Sequence, residues 1–197
     1  MCSRTVLTAI VLSSVFLSSP PAVDAQSARS VVDYKVLAAN RTSTTEKEMK
    51  EAAEAGYRFG GVMGGETAFG GSEVVVVMVR NDAAGGRFDY RLLATNRTST
   101  MQSEMQAAGD QGFEYRGQTV FKTTFGGKEV VVILERDLNA ASRKRYEYRL
   151  LATKRTSTLE KELGDAGKQG FEFVGLTVAE TAVGGTEVVA ILRRQPQ

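Results

Sequence analysis

The chain has 197 residues, with 25 Lys and Arg against 23 Asp and Glu, a formal net charge of +2, no His, no Trp and one Cys. So small a net charge, with both signs mixed along the sequence, gives no electrostatic footprint for nucleic acid or anionic lipid. The lack of His, with Cys2 the lone thiol, excludes most zinc and copper sites, imidazole bases and thiol nucleophiles, so no metal site, no cofactor and no enzymatic activity are expected.

The chain opens with Arg4 and an apolar run over residues 6–17, too short to span a bilayer as a stable helix. Pro20, Pro21 and then Val23-Asp24-Ala25 follow, a small-residue site of the kind a signal peptidase accepts. Residues 1–25 are therefore predicted to be a cleaved export signal. Cys2 lies before the apolar run, not after it where a lipid anchor needs a thiol, so no membrane anchor is expected after cleavage. A mature chain without thiols has no disulfides, which fits a bacterial periplasmic or secreted protein.

Three copies of one unit follow, placed at residues 26–82, 83–139 and 140–197. Residues 34–80, 90–136 and 148–194 align without a gap, so a residue that varies among the copies is not needed in each. Every copy starts with an alternating strand, such as Tyr148, Leu150 and Ala152 on one face with Arg149 and Thr153 on the other. Arg-Thr-Ser-Thr comes next, with Glu or Gln three residues after the serine: Ser43 with Glu46, Ser99 with Gln102, Ser157 with Glu160. That spacing predicts a capping box and a helix start. The helices carry a narrow apolar stripe, Thr45, Met49, Ala52 and Ala53, then Met101, Met105, Ala108 and Gly109, then Leu159, Leu163, Ala166 and Gly167. Gly56, Gly112 and Gly170 are placed to end them in a left-handed conformation. A second strand carries Tyr57 and Phe59, Phe113 and Tyr115, or Phe171 and Phe173. Gly70-Gly71, Gly126-Gly127 and Gly184-Gly185 turn the chain into a β-branched last strand such as Val130-Val131-Val132-Ile133-Leu134.

The expected fold is α+β: three tandem β-α-β-β repeats of antiparallel hairpins, with one helix per repeat packed on the sheet. A single unit falls short of the roughly 60 residues at which an unaided core is already marginal. The copies are therefore expected to share a core, with sheets meeting edge to edge or around a pseudo-threefold axis.

Tyr146-Glu147-Tyr148, the helix with Leu159 and Leu163, Gly170-Phe171-Glu172 and the valine-rich strand ending at Arg194 together resemble a short bacterial domain of unknown function, the 4177 type, once per copy. The chain has Phe or Tyr where that family usually has Trp after the glycine, and Arg-Thr-Ser-Thr and Gly-Gly-x-Glu are not family motifs. The resemblance implies a fold and carries no activity or catalytic residues.

The candidate ligand site is the Arg-Thr-Ser-Thr segment: Arg41, Thr42 and Ser43; Arg97, Thr98 and Ser99; Arg155, Thr156 and Ser157. Helix N-terminal amides, hydroxyls and a guanidinium together suit a phosphate, sulfate or carboxylate; the plain alternative is a helix cap with an arginine on the surface or paired to Glu48, Glu104 or Glu162. Gly-Gly-x-Glu lacks the lysine and helix of a phosphate loop and suits a hairpin turn. Glu48 with Glu73, and their counterparts Glu104 with Glu129 and Glu162 with Glu187, are the residues a carboxylate hydrolase would use. A Ser-Lys nucleophile at Ser43 and Lys47, or Ser157 and Lys161, fails in the middle copy, which has Ser103. Asn40-Arg41-Thr42 and Asn96-Arg97-Thr98 match the glycosylation pattern, which a bacterial source makes incidental. Phe69 and Phe125, matched by Val183, sit beside the hairpin turn, where they grip a ligand or pack in the core. The sequence thus points to an exported, non-enzymatic module for a protein partner or small anionic ligand. The alternatives are an extracytoplasmic carboxylate hydrolase and an assembly module that pairs exposed sheet edges.

Overall fold

A run such as Val130–Leu134 is apolar on both faces, and a strand of that kind is stable only with a neighbour on each side and a layer above and below. The computed structural model, which describes residues 31–67, 71–81, 86–122, 127–142, 144–180 and 185–196, places it so. The first unit is β1 (Val32–Ala39), α1 (Thr42–Glu54), β2 (Arg58–Thr67) and β3 (Gly71–Asn81). The second is β4 (Phe88–Thr95), α2 (Thr98–Asp110), β5 (Glu114–Lys122) and β6 (Lys128–Asp137). The third is β7 (Glu147–Thr153), α3 (Thr156–Gly167), β8 (Glu172–Glu180) and β9 (Thr186–Arg194). Each unit forms one antiparallel three-stranded sheet with its last strand central, in the orders β1-β3-β2, β4-β6-β5 and β7-β9-β8. Register repeats too, with Tyr34 opposite Val79, Tyr90 opposite Glu135 and Tyr148 opposite Arg193. The second strand of each unit shifts register at one place, after Phe59, Tyr115 and Phe173.

Gly56, Gly112 and Gly170 end the helices at φ of 85°, 86° and 82°. The amide after each reaches back to the helix, Tyr57 to the Ala52 carbonyl, Phe113 to Ala108 and Phe171 to Ala166, the double-bonded cap that a left-handed glycine permits. An arginine from the end of the central strand ties each corner. Arg80, Arg136 and Arg194 donate to Ala55, Gln111 and Gln169 carbonyls and pair with Asp33, Asp89 and Glu147. They also lie over the rings of Tyr57, Phe113 and Phe171.

The helix starts differ from the sequence expectation. Arg41, Arg97 and Arg155 are the capping residues, no side chain caps the first turn, and Ser43, Ser99 and Ser157 lie inside the helix. The residues expected to close the capping box, Glu46 and Gln102, bond instead to the next unit.

The sheets do not meet edge to edge or around a threefold axis; each later sheet lays its back face on the helix face of the sheet before it, directly at β2–β5 and β5–β8, with the preceding helix alongside its first strand. One core joins Met49, Ala52, Val74, Val76 and Met78 of the first unit to Tyr90, Leu92, Val131 and Ile133 of the second. Another joins Met101, Met105, Val132 and Leu134 of the second unit to Tyr146, Tyr148, Val189 and Ile191 of the third. Each sheet therefore has a helix face, carrying its own helix, and a back face, which in the second and third units packs on the unit before. The third helix face has only its own small cluster, Leu159, Ala166, Phe171, Ala190 and Leu192. Of the α3 stripe, Leu163 is half-buried and Gly167 exposed, because among the described residues no further unit lies beyond that helix. The predicted export signal, Phe69, Phe125 and Val183 fall outside the described residues, as do Gly70, Gly126 and Gly184.

Candidate functional site

The three Arg-Thr-Ser-Thr segments each open a helix in a separate layer. Arg41, Arg97 and Arg155 are exposed, as are Ser43, Ser99, Ser157 and Thr156; Thr42 and Thr98 are half-buried. Thr98 donates its Oγ1 proton to Glu187 Oε1 of the third unit at 2.8 Å. Among the described residues no hydrogen bond or ion pair joins one segment to another, and none of the three arginines has a carboxylate partner. In the second and third units the last threonine of the first strand, Thr95 or Thr153, accepts the Arg97 or Arg155 amide at 3.2 or 3.1 Å, so these segments are shaped as helix entries.

Polar side chains converge instead at the junctions between units. Gln102 and Gln106 lie one turn apart on α2, against the outer edge of β7. Gln102 accepts the Leu150 amide at 2.7 Å and donates to the Tyr148 carbonyl at 2.8 Å; Gln106 accepts the Tyr148 amide at 3.0 Å and donates to the Tyr146 carbonyl. Two glutamines thus cover an edge strand's free backbone groups. At the first junction Glu46 Oε2 accepts the Leu92 amide at 2.9 Å, and Lys50 takes the place of Gln106, near Asp89.

A tyrosine at the start of each docked strand reaches the preceding sheet. Tyr90 accepts the Phe59 amide at 2.8 Å and donates to Glu135 Oε2 at 2.8 Å. Tyr148 accepts the Tyr115 amide at 2.6 Å and donates to the Phe113 carbonyl at 3.0 Å. Burial pushes both phenols well above the usual tyrosine range, with the Glu135 carboxylate adding to the effect at Tyr90, so both stay donors. Burial likewise pushes Tyr115 and Tyr146 up to about 12, with the Glu114 charge contributing at Tyr146.

Glu135 is 3% exposed, a carboxylate that needs charged partners to stay buried. Arg58 of β2 holds it through two nitrogens, Nη2 to Oε1 at 2.7 Å and Nε to Oε2 at 3.2 Å, with Arg116 Nε 3.7 Å from Oε1. The hydrogen bonds that Arg58 donates to Glu135 in turn raise the Arg58 pKa. At the second junction the same pair of positions has its signs reversed: Glu114 of β5 takes the guanidinium of Arg193 in β9 at 2.5 Å. Glu114, Glu135, Arg58 and Tyr146 border a cleft of about 440 Å³. Both of its glutamates already hold arginines, as ties between sheets do. No family, curated protein or solved structure matches this chain.

The remaining candidates are the two ends of the stack. On the back face of the first sheet Tyr34 is 64% exposed, while its counterparts Tyr90 and Tyr148 are 0% and 3% exposed. Val32, Val36 and Met63 are exposed with it. At the other end Phe173, Leu176 and Val178 stand exposed on the helix face of the third sheet. No sequence signal separates these residues from their buried counterparts, because the copies share one pattern and differ in what lies next to them.

Proposed function

We propose that the protein is an exported, non-enzymatic interaction module that binds a protein partner through the end faces of its stacked repeats. One observation carries this: the apolar back face that the second and third units largely bury is open to solvent on the first, around Tyr34 and Val36. An exposed contiguous apolar sheet face marks an association site, and stacked repeats normally close their ends with polar surface. Export by residues 1–25 belongs to the same proposal, as does likeness of each unit to the short bacterial domain. Geometry gives less support to a small anionic ligand, since the arginine segments are separate and exposed. Of the glutamates considered for hydrolysis, Glu187 is engaged by Thr98.

The test is site-directed photo-crosslinking in a bacterial host that exports the protein. A crosslinking residue in place of Tyr34 is expected to give discrete protein adducts outside the cytoplasm, and one in place of the exposed Lys154 is expected to give none. No adduct at position 34, or equal labelling at both positions, would overturn the proposal.

A further inference from the structure

We infer that the partner is a second copy of this chain, docked head to tail: the back face and outer edge of its first sheet sit on α3 and the helix face of the third sheet. The inference rests on the end-face binding proposed above and names its occupant. Within the chain the same junction is built twice, always from a helix face and the back face of the following unit. Two such halves are left over, one at each end, so the proposed contact continues an interface the molecule already contains.

The exposed apolar side chains mark these two halves. Tyr34 and Val36 correspond to Tyr90 and Leu92, which are buried at the first junction, and Met63 lies on the same face. Phe173, Leu176 and Val178 correspond to Phe59, Val62 and Gly64, which meet the second unit: the Phe59 amide is bonded by Tyr90, Val62 packs in the shared core, and Gly64 lies against the backbone of Val120. The polar seam has its counterparts too. Exposed Glu160 on α3 occupies the position of Glu46 and Gln102, which accept the amides of Leu92 and Leu150; the matching amide in an incoming copy is that of Val36. The Tyr34 hydroxyl is placed to accept the Phe173 amide, as Tyr90 and Tyr148 accept those of Phe59 and Tyr115.

Two ties are missing from this third junction. Gly164 stands where Lys50 and Gln106 act, with open space above it. Glu172 would face Val79, where the internal junctions have Arg58 with Glu135 and Glu114 with Arg193. Association between chains is therefore weaker than the internal junctions, and reversible. A helix face meeting a back face is a heterologous contact, which leaves one free half on each terminal copy and yields rings or open strings, not a closed twofold pair.

Sedimentation of the purified protein over a range of concentrations tests this with two variants at exposed positions, Val36→Lys and Leu176→Lys, each checked for native circular dichroism. A lysine buried without a partner opposes docking. The parent is expected to form dimers and longer species as concentration rises. Each variant alone is expected to lose self-association at least tenfold, while an equimolar mixture forms a one-to-one heterodimer and nothing larger. A monomeric parent at every concentration, a mixture that does not associate, or loss of association with Val36→Lys only, the signature of a twofold back-to-back pair, would each overturn the inference. Association that appears only after residues 1–30 are removed would also overturn it, since the chain's own N-terminal segment would then be the occupant. If Tyr34 crosslinks a different protein in cells while the purified chain stays monomeric, the head-to-tail contact fails and the interaction module stands.

Discussion

Exchanging the charges of Arg58 and Glu135 converts the first junction into the form the second already has. Arg58→Glu alone removes the Arg58 hydrogen bonds from a carboxylate that is 3% exposed and adds a second negative charge beside it, with Arg116 the one remaining nearby cation among the described residues. Loss of one partner from a buried pair costs about 3–5 kcal/mol; Arg58 is 40% exposed, which places the cost near the lower end, about 3 kcal/mol. Glu135→Arg alone crowds three guanidinium groups together and takes away the acceptor of Tyr90, again about 3 kcal/mol. The double variant restores one pair in the sense of Glu114 and Arg193, still without the Tyr90 bond, worth about 1 kcal/mol, and with Arg116 now repelling its neighbour. A total near 3 kcal/mol is expected instead of the additive 6, a coupling of about 3 kcal/mol at the upper end for contacting residues. Urea unfolding of the four proteins measures it. Additive losses, or single losses below about 1 kcal/mol as in a surface pair, would refute the buried inter-sheet tie.

Glycine to alanine should have opposite signs in two repeats. A Cβ on Gly109 would drive into the Tyr146 carbonyl oxygen across the second junction, and the overpacking, about 1–3 kcal/mol, exceeds the gain in helix propensity. Gly164→Ala meets nothing and should stabilise α3 by up to about 1 kcal/mol; thermal melts that shift the same way for both would contradict a tight second junction. Tyr115 and Tyr146 keep their protons up to about pH 12 when folded, against 10.0 when unfolded. The unfolded chain thus binds fewer protons between those values, and stability is lost as pH rises through that window. The ring resonances of Tyr115 and Tyr146 and the circular dichroism should change together there; those two phenols ionising near pH 10 without unfolding would count against their burial.

The repeated elements were legible because each answers to a local requirement. The helix stripe of Met101, Met105 and Ala108 needs one apolar side, and Gly56, Gly112 and Gly170 supply the left-handed ends. The capping box does not form because all three helices start at the threonine before the serine, with Arg41, Arg97 and Arg155 at the cap, which puts Ser43, Ser99 and Ser157 inside the first turn; Glu46 and Gln102 reach instead the backbone of an edge strand that is distant in sequence. Face-to-face stacking had a signal in the doubly apolar run at Val130–Leu134, which asks for cover on both sides. The junction charges follow no pattern shared by the three copies. Val79, Glu135 and Arg193 occupy one position, and Arg58, Glu114 and Glu172 another; Glu135 matches Arg58 and Arg193 matches Glu114, so the charges at the two junctions differ while both junctions are paired.

Equilibrium unfolding in urea, followed by far-ultraviolet circular dichroism and tyrosine fluorescence, bears most directly on the shared cores. Units whose apolar faces are completed only by their neighbours should melt in a single transition, coincident for both probes. Three separable steps, one per repeat, would show that each unit holds itself together and that the stack is a set of independent domains.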